Sequence, residues 1–455
     1  MGKKGLAILV LSASLCMGAG AVSTWAASGW VSENGSWVYY GSDGSLVTYE
    51  WRKGADNLWR YLDGSGHMAV NSWVDGTYYV DENGIMVEER WIRLPGDYQG
   101  DQDYYWYYFS SSGKVVADAW KKINDKWYHF DDTGVMETGW VDENMYFCGE
   151  DGAAKTGWQK LYPPEGEEEE YDGFDEDDGQ RWYYFSASGK KYVPSDDAEY
   201  GERRIGDTYY CFSETGIMQT GWVYVGNDSP ETGSMSDFRF YGSDGKVRTG
   251  WYSAEPPKDR GGYEDEVEWF YFSKSGVPKV SSQSDRLIAT DIMTINKKRY
   301  LFNENGVPVY GLQKVYDSAG SDTYTAYYFG DSKDRCSAQD GRIKIEEGDG
   351  TPTEFYFSES GKGFTGIRNG SLYYMGKLQK TSDGLKYEVI SMPSGNGHTN
   401  YLVNSSGKIV KSTSGVKDSD GVKYVTNSSG VVQKINDESI SSNETFTEPY
   451  EPVWY

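Results

Sequence analysis

The sequence predicts an all-β chain, an elongated β-hairpin solenoid of about 16 repeats of roughly 20 residues. Two observations lead there. An aromatic run followed by a glycine returns along the chain from Trp37 to Lys423. The composition also fits many small aromatic patches better than one thick core, because 40 Tyr, 17 Trp and 56 Gly among 455 residues leave few aliphatic residues to build one.

The chain opens with Lys3 and Lys4, the apolar stretch Leu6 to Leu15 and a small-residue exit near Ala26 or Ala27. That pattern predicts a signal peptide over residues 1–27 and export. No later stretch is apolar for long enough to predict a membrane span. A net charge of −26 argues against nucleic acid, which rewards basic surfaces, and favours a self-repelling chain attracted to cations. Cys148, Cys211 and Cys336 are odd in number, so they read as small apolar residues inside hairpins and not as a disulfide framework.

Trp-rich copies fill residues 28–276. They include "WVYYGSDG" at Trp37, "WRYLDGSG" at Trp59, "TYYVDENG" at Thr77, "WYYFSSSG" at Trp106, "WYHFDDTG" at Trp127 and "WFYFSKSG" at Trp269. Degenerate copies such as "EFYFSESG" at Glu354 and "KYVTNSSG" at Lys423 fill 277–436, and 437–455 form a tail. Each unit reads as a β-hairpin. A strand such as Trp127 to Phe130 leads into Asp131 to Gly134, where glycine tolerates the positive φ of a tight turn. A second strand then carries Val135 to Glu137, and a further turn precedes the first at Asn124-Asp125. One two-stranded hairpin is barely stable in water, so neighbours must share their aromatic faces.

Insertions separate some units. The densest is the acidic segment 163–180, from "PPEGEEEEYDGFDEDDG" onward; others run from Pro230 to Ser236, Pro256 to Glu266 and Asp317 to Thr325. The acids do not follow EF-hand spacing, so the segment reads as a solvated loop and not a calcium site. The insertions are the places where a protein partner would make contact.

The segments "AWKKINDKWYHFDDTGVMETGW" (Ala119 to Trp140) and "GWVDENMYFCGEDGAAKTGW" (Gly139 to Trp158) resemble the choline-binding, or cell-wall-binding, repeat of Gram-positive surface proteins. The resemblance extends from Gly29 to about Gly276 and weakens afterwards. It implies a left-handed hairpin solenoid with ligand cages between consecutive repeats. Two Trp of one repeat, an aromatic of the next and the Met would line each cage. Family ligands are choline groups on teichoic acid, and related repeats bind α-glucans. The chemistry is coherent, because a quaternary ammonium donates no hydrogen bond and is held by aromatic faces.

Core and cage are the competing roles for these aromatics. The second and third positions of each run (Tyr128, Tyr183, Tyr184, Tyr327, Tyr328) persist in degenerate copies and read as core. The repeat signal outlives the tryptophans, since only Trp454 follows Trp269, so the tryptophans read as ligand residues. Requiring Met as well selects Trp120/Trp127/Met136/Trp140 and Trp51/Trp59/Met68/Trp73. A third set is Trp73/Met86/Trp91, with Thr77 where a Trp is expected; a fourth is Tyr209/Met218/Trp222. Elsewhere the Met position holds Val115, Ala154, Lys191, Val247 or Pro278.

No catalytic signal accompanies the repeats. No stretch between copies exceeds roughly 25 residues, below the ~50 of the smallest domains. His67, His129 and His398 are far apart and lack metal-ligand spacing, so neither a metal nor a cofactor is expected. The expectation is a secreted, non-catalytic protein attached non-covalently to a bacterial cell wall. Its partner would be teichoic acid choline or a glucan. The alternatives are a saccharide-binding repeat protein and a rod or adhesin whose insertions make the contacts.

Overall fold

Asn124 and Asp125 adopt φ of +48° and +65°, a left-handed pair that closes a two-residue hairpin turn with the right-handed twist of its strands. Around that turn Ala119–Ile123 pairs antiparallel with Lys126–Phe130, setting Trp120 opposite His129 and Lys122 opposite Trp127. The computed structural model describes residues 28–96, 104–169, 177–195, 198–227, 229–333, 336–347, 350, 352–382, 384–441 and 444–454. The expected signal peptide lies outside them, as does part of the acidic insertion. The described residues are all-β: thirteen two-stranded sheets, one of five strands and one of four, with 3-10 turns at Met235–Asp237 and Ala289–Asp291. Among them no helix is long and apolar enough to cross a membrane.

The hairpin turn therefore belongs to Asn124-Asp125, and the expected second strand at Val135 to Glu137 is reduced to one bridge between Phe130 and Met136. The Asp131 carboxylate holds the chain there, accepting from the backbone N–H of Thr133 at 2.9 Å and of Val135 at 2.8 Å. The ladder stops because the Met136 N–H donates to the Trp106 carbonyl of the preceding hairpin, at 2.8 Å. The same link joins Met68 to Trp37, Met86 to Trp59, Ala154 to Trp127 and Lys191 to Met145. It recurs from Met218 to Trp182 and from Val247 to Tyr209. Gly152, at φ +72°, has a second reason to be glycine: a Cβ there would overlap the Met136 sulfur.

The chain divides into two compact units, residues 1–159 with 184–191, and residues 160–183 with 192–455. In the first, the buried column is the fourth position of the runs from Trp59 onward: Leu62, Val80, Phe109, Phe130 and Cys148 are all fully enclosed, whereas Tyr40 in the first run is half-buried. The Tyr positions read as core are divided; Tyr183 and Tyr327 are buried, whereas Tyr128, Tyr184 and Tyr328 are half-buried. In the second unit the fourth position stays buried at Phe212, Tyr241, Phe272 and Phe302.

The second unit ends differently from the expected run of degenerate hairpins. Gly341–Glu346, Pro352–Phe357, Lys377–Leu378, Ser371–Tyr374 and Gly366–Arg368 form one five-stranded sheet in that order. Tyr387–Ser394 and Gly397–Asn404 form a hairpin of two eight-residue strands, and Val416–Lys417, Lys423–Thr426, Val432–Ile435 and Glu438–Ser439 a four-stranded sheet. The last residues pack back on this region. Thr447 bridges Ile390 in parallel, Tyr450 exchanges hydrogen bonds with Gln379, and the Trp454 ring lies 6.0 Å from Tyr324.

Three expectations about side chains meet the structure directly. Cys148, Cys211 and Cys336 are free and buried. The described ends of the acidic insertion are tied to the chain rather than loose. Asp177 pairs with Arg181, Asp178 with Lys160, and Glu169 accepts from Thr215 and Gln219. His129 is paired with Glu137 beneath Trp120.

Candidate aromatic cages

Strand alternation decides which aromatics share a face. In the hairpin Arg90–Pro95/Tyr104–Phe109, Trp91 lies opposite Tyr108 and Arg93 opposite Trp106, so the two indoles stand diagonally on one face. Their centroids are 6.4 Å apart at 88°, edge to face. Tyr128, from the following hairpin, approaches Trp91 to 4.9 Å at 70°. Met136 follows Tyr128 in sequence and is bonded through its backbone to Trp106. Its side chain packs with Trp91 and Tyr128 on the buried residues Tyr108, Ile123 and Phe130. Trp106 remains 43 % exposed. One hairpin thus supplies two indoles, and the next supplies a phenol ring and a thioether.

This grouping redistributes the sets selected from sequence. Trp120 and Trp127 do share a face of one hairpin, and Tyr146 of the next lies 4.6 Å from Trp120. Their Met position is Ala154, which donates to the Trp127 carbonyl at 2.9 Å; Met136 goes one hairpin back and Trp140 one hairpin forward. Trp140 packs on Phe147 and Phe185. Trp51 and Trp59 likewise share a face, but Tyr78 and Met86 join them, while Met68 bonds to Trp37. Trp73 packs on Tyr79, Tyr107 and Phe109, while the Met86 backbone bonds to Trp59 and Trp91 packs on Tyr108 and Tyr128. Tyr209, Met218 and Trp222 are spread over successive hairpins: Tyr209 is bonded to Val247 and Met218 to Trp182, while Trp222 packs on Phe240 and Phe270.

The tryptophans also divide by role, against the expectation that they act together as ligand residues. The Gly-Trp indole is a clasp: Trp91 touches Tyr108 on its own hairpin and Tyr128 and Phe130 on the next. The first-position indoles Trp37, Trp59, Trp106, Trp127, Trp182 and Trp269 are exposed, and of the Gly-Trp indoles among the described residues Trp73 is exposed with them. Sequence reasoning missed the Trp106 and Tyr128 contributions, and a counterpart in the second unit. There Trp251 and Trp269 are 6.5 Å apart at 76°, with Tyr300 at 5.0 Å from Trp251. The signal was present. A hairpin closed at Asn124-Asp125 pairs each Gly-Trp with the run after it and leaves the Met for the run before.

No cluster of three or more His, Cys, Asp or Glu suited to a metal ion occurs among the described residues. Carbonyl and indole N–H groups are used internally: Trp30 donates to Lys53 at 2.9 Å and Trp222 to Glu255 at 2.7 Å. On these faces a cation stands opposite three first-position indoles, Lys53 opposite Trp59, Arg93 opposite Trp106 and Lys122 opposite Trp127, in a chain of net charge −26.

Residues 27–73 match the family model described as "Choline-binding repeat", and residues 118–136 match the one described as "Putative cell wall binding repeat". Glucosyltransferase-I of Streptococcus downei is 27% identical over 349 residues, 65% of this chain and 20% of its own length. Glucosyltransferase-S of Streptococcus mutans is 26% identical over 218 residues, 42% of this chain and 14% of its own length. The chain thus spans a fifth or less of these two relatives. Among solved structures, the modular autolysin LytC of Streptococcus pneumoniae aligns over 62% of this chain and 52% of its own, at 20% identity and TM-score 0.38. CbpJ of the same species aligns over 62% of this chain and 94% of its own, at 22% identity and TM-score 0.37. On its matched segments, the chain carries the choline-binding, cell-wall-binding repeat.

Proposed function

We propose that this chain is an exported, non-catalytic protein that attaches non-covalently to a bacterial cell wall by holding choline-type groups of teichoic acid in its aromatic cages. The observation that carries the reading is the set Trp91, Trp106, Tyr128 and Met136, with two edge-to-face indoles, a third ring and an exposed rim. A trimethylammonium group gains about 0.5–2 kcal/mol from such a face and needs no hydrogen-bond acceptor. A polarizable thioether suits the same cation. Each site is weak, and several sites on one chain engage a repeating polymer with avidity.

Choline titration should quench tryptophan fluorescence and elute the protein from a tertiary-amine resin. Absence of both responses at tens of millimolar choline would remove the reading. A second reading has its own support, the similarity to two glucosyltransferases. Sugar rings stack on the same indoles, so retention on dextran without any choline response would select a glucan ligand. Failure of both would favour contacts through the insertions.

A further inference from the structure

At one repeat the position held by methionine in four other copies is a lysine. The Lys191 N–H donates to the Met145 carbonyl at 2.7 Å, the same link that Met136 makes to Trp106. The backbone of Lys191 therefore occupies the methionine's place in the stack. Its side chain does what a methionine cannot. The Nζ lies 5.0 Å from the centroid of the Trp140 ring, over its face, and Lys191 is only 5 % exposed. The neighbouring Lys190 is exposed. Trp140 is the Gly-Trp indole here, flanked by Phe147 at 5.2 Å and Phe185 at 6.0 Å, and Met145 replaces the first-position tryptophan.

An ammonium enclosed against an indole face is the arrangement that would bind a ligand cation, supplied here by the chain itself. We propose that Lys191 is the resident cation of the Trp140 cage. This site is closed to an external quaternary ammonium and opens when the lysine is replaced. The closed-site part rests on the choline reading above; the resident lysine does not. The other Trp-rich repeats carry Met or another apolar residue at this position. The exposed Lys53, 4.9 Å from the Trp59 centroid, reaches its ring from its own hairpin. An enclosed lysine at the methionine position thus marks this one repeat and lowers by one the number of ligands the chain takes up.

Two measurements test it. Calorimetric choline titration of Lys191→Met and Lys191→Ala should show one more bound choline per chain than the wild type. Unchanged stoichiometry in both folded variants would overturn the closed site. In the intact wild-type chain, acetylation of amines followed by mass spectrometry should modify Lys191 at least tenfold more slowly than Lys190, with or without saturating choline. Equal rates would overturn the resident lysine, and choline-accelerated labelling of Lys191 would show the site to be open. A wild type that binds no choline but keeps Lys191 protected would defeat the choline reading and leave the resident cation standing.

Discussion

The hairpins between residues 29 and 148 and the sheets between 341 and 439 cover the same kind of two-stranded ribbon by different means. In the first region each ribbon stays two-stranded, and an indole bridges to the rings of the next, as Trp91 does with Tyr128 and Phe130. In the second, two of the three sheets add strands edge to edge, and the hairpin 387–404 lies between them in sequence. Two of their buried clusters are mainly aliphatic: Leu372, Ile390, Met392, Val403 and Ile409 in one, and Val389, Leu402 and Val432 with Tyr424 in another. A wide aromatic side chain reaches across a gap between separate ribbons, whereas branched aliphatics pack at shorter range on the pleated surface beneath them. Loss of tryptophan after Trp269 therefore marks a change in how the fold is held. It does not show that the earlier hairpins stand without theirs.

Substitutions should separate the two regimes. The largest effect belongs to Trp91→Ala, which removes the clasp and should cost about 3–4 kcal/mol of local stability. Hydrogen exchange at residues 104–109 and 126–130 reads it, and a change below ~0.5 kcal/mol would return Trp91 to a purely ligand role. Leu402→Ala, in the aliphatic cluster, should cost about 2–3 kcal/mol. Its opening should be confined to strands between 387 and 435 and leave the hairpins before residue 148 unchanged.

Trp106→Ala sharpens the contrast within one cage. With 43 % of its surface exposed, the residue should contribute less to folding than the clasping Trp91 does. Its loss should weaken choline binding at that site about tenfold, read by fluorescence titration. The smallest effect is kinetic. Burial pushes the Cys148 thiol up to about 11 and the Cys211 thiol up to about 12. At pH 8 both should resist iodoacetamide until their own region opens. Trp91→Ala should accelerate labelling of Cys148 before Cys211; equal acceleration would show that the effect spreads beyond the clasp's neighbours.

Much of the fold was legible because its signals are local. A left-handed Asn-Asp or Asn-Gly pair, a side-chain acceptor after the aromatic run and a glycine three residues later are each readable from a few residues. The same holds for the aromatic character of the faces. The composition of each cage was not legible, because the methionine that follows one run bonds to the run before it. Linear spacing groups Met136 with Trp127, while the inter-hairpin hydrogen bond puts it beside Trp106. The role of Lys191 was hidden for a related reason. In sequence it is a missing methionine, and only its position over Trp140 turns it into a cation in a cage.

The sequence by itself determined that this chain is a series of hairpins rich in aromatic faces, since strand alternation and turn chemistry depend on neighbours along the chain. Tertiary structure alone decided which indoles clasp and which remain exposed, where ribbons merge into sheets, and which repeat completes which cage. Those outcomes depend on contacts between residues about 20 to 40 positions apart, as from Trp106 to Met136 or Trp91 to Phe130. Periodicity shows that such contacts must exist, and packing selects the partners.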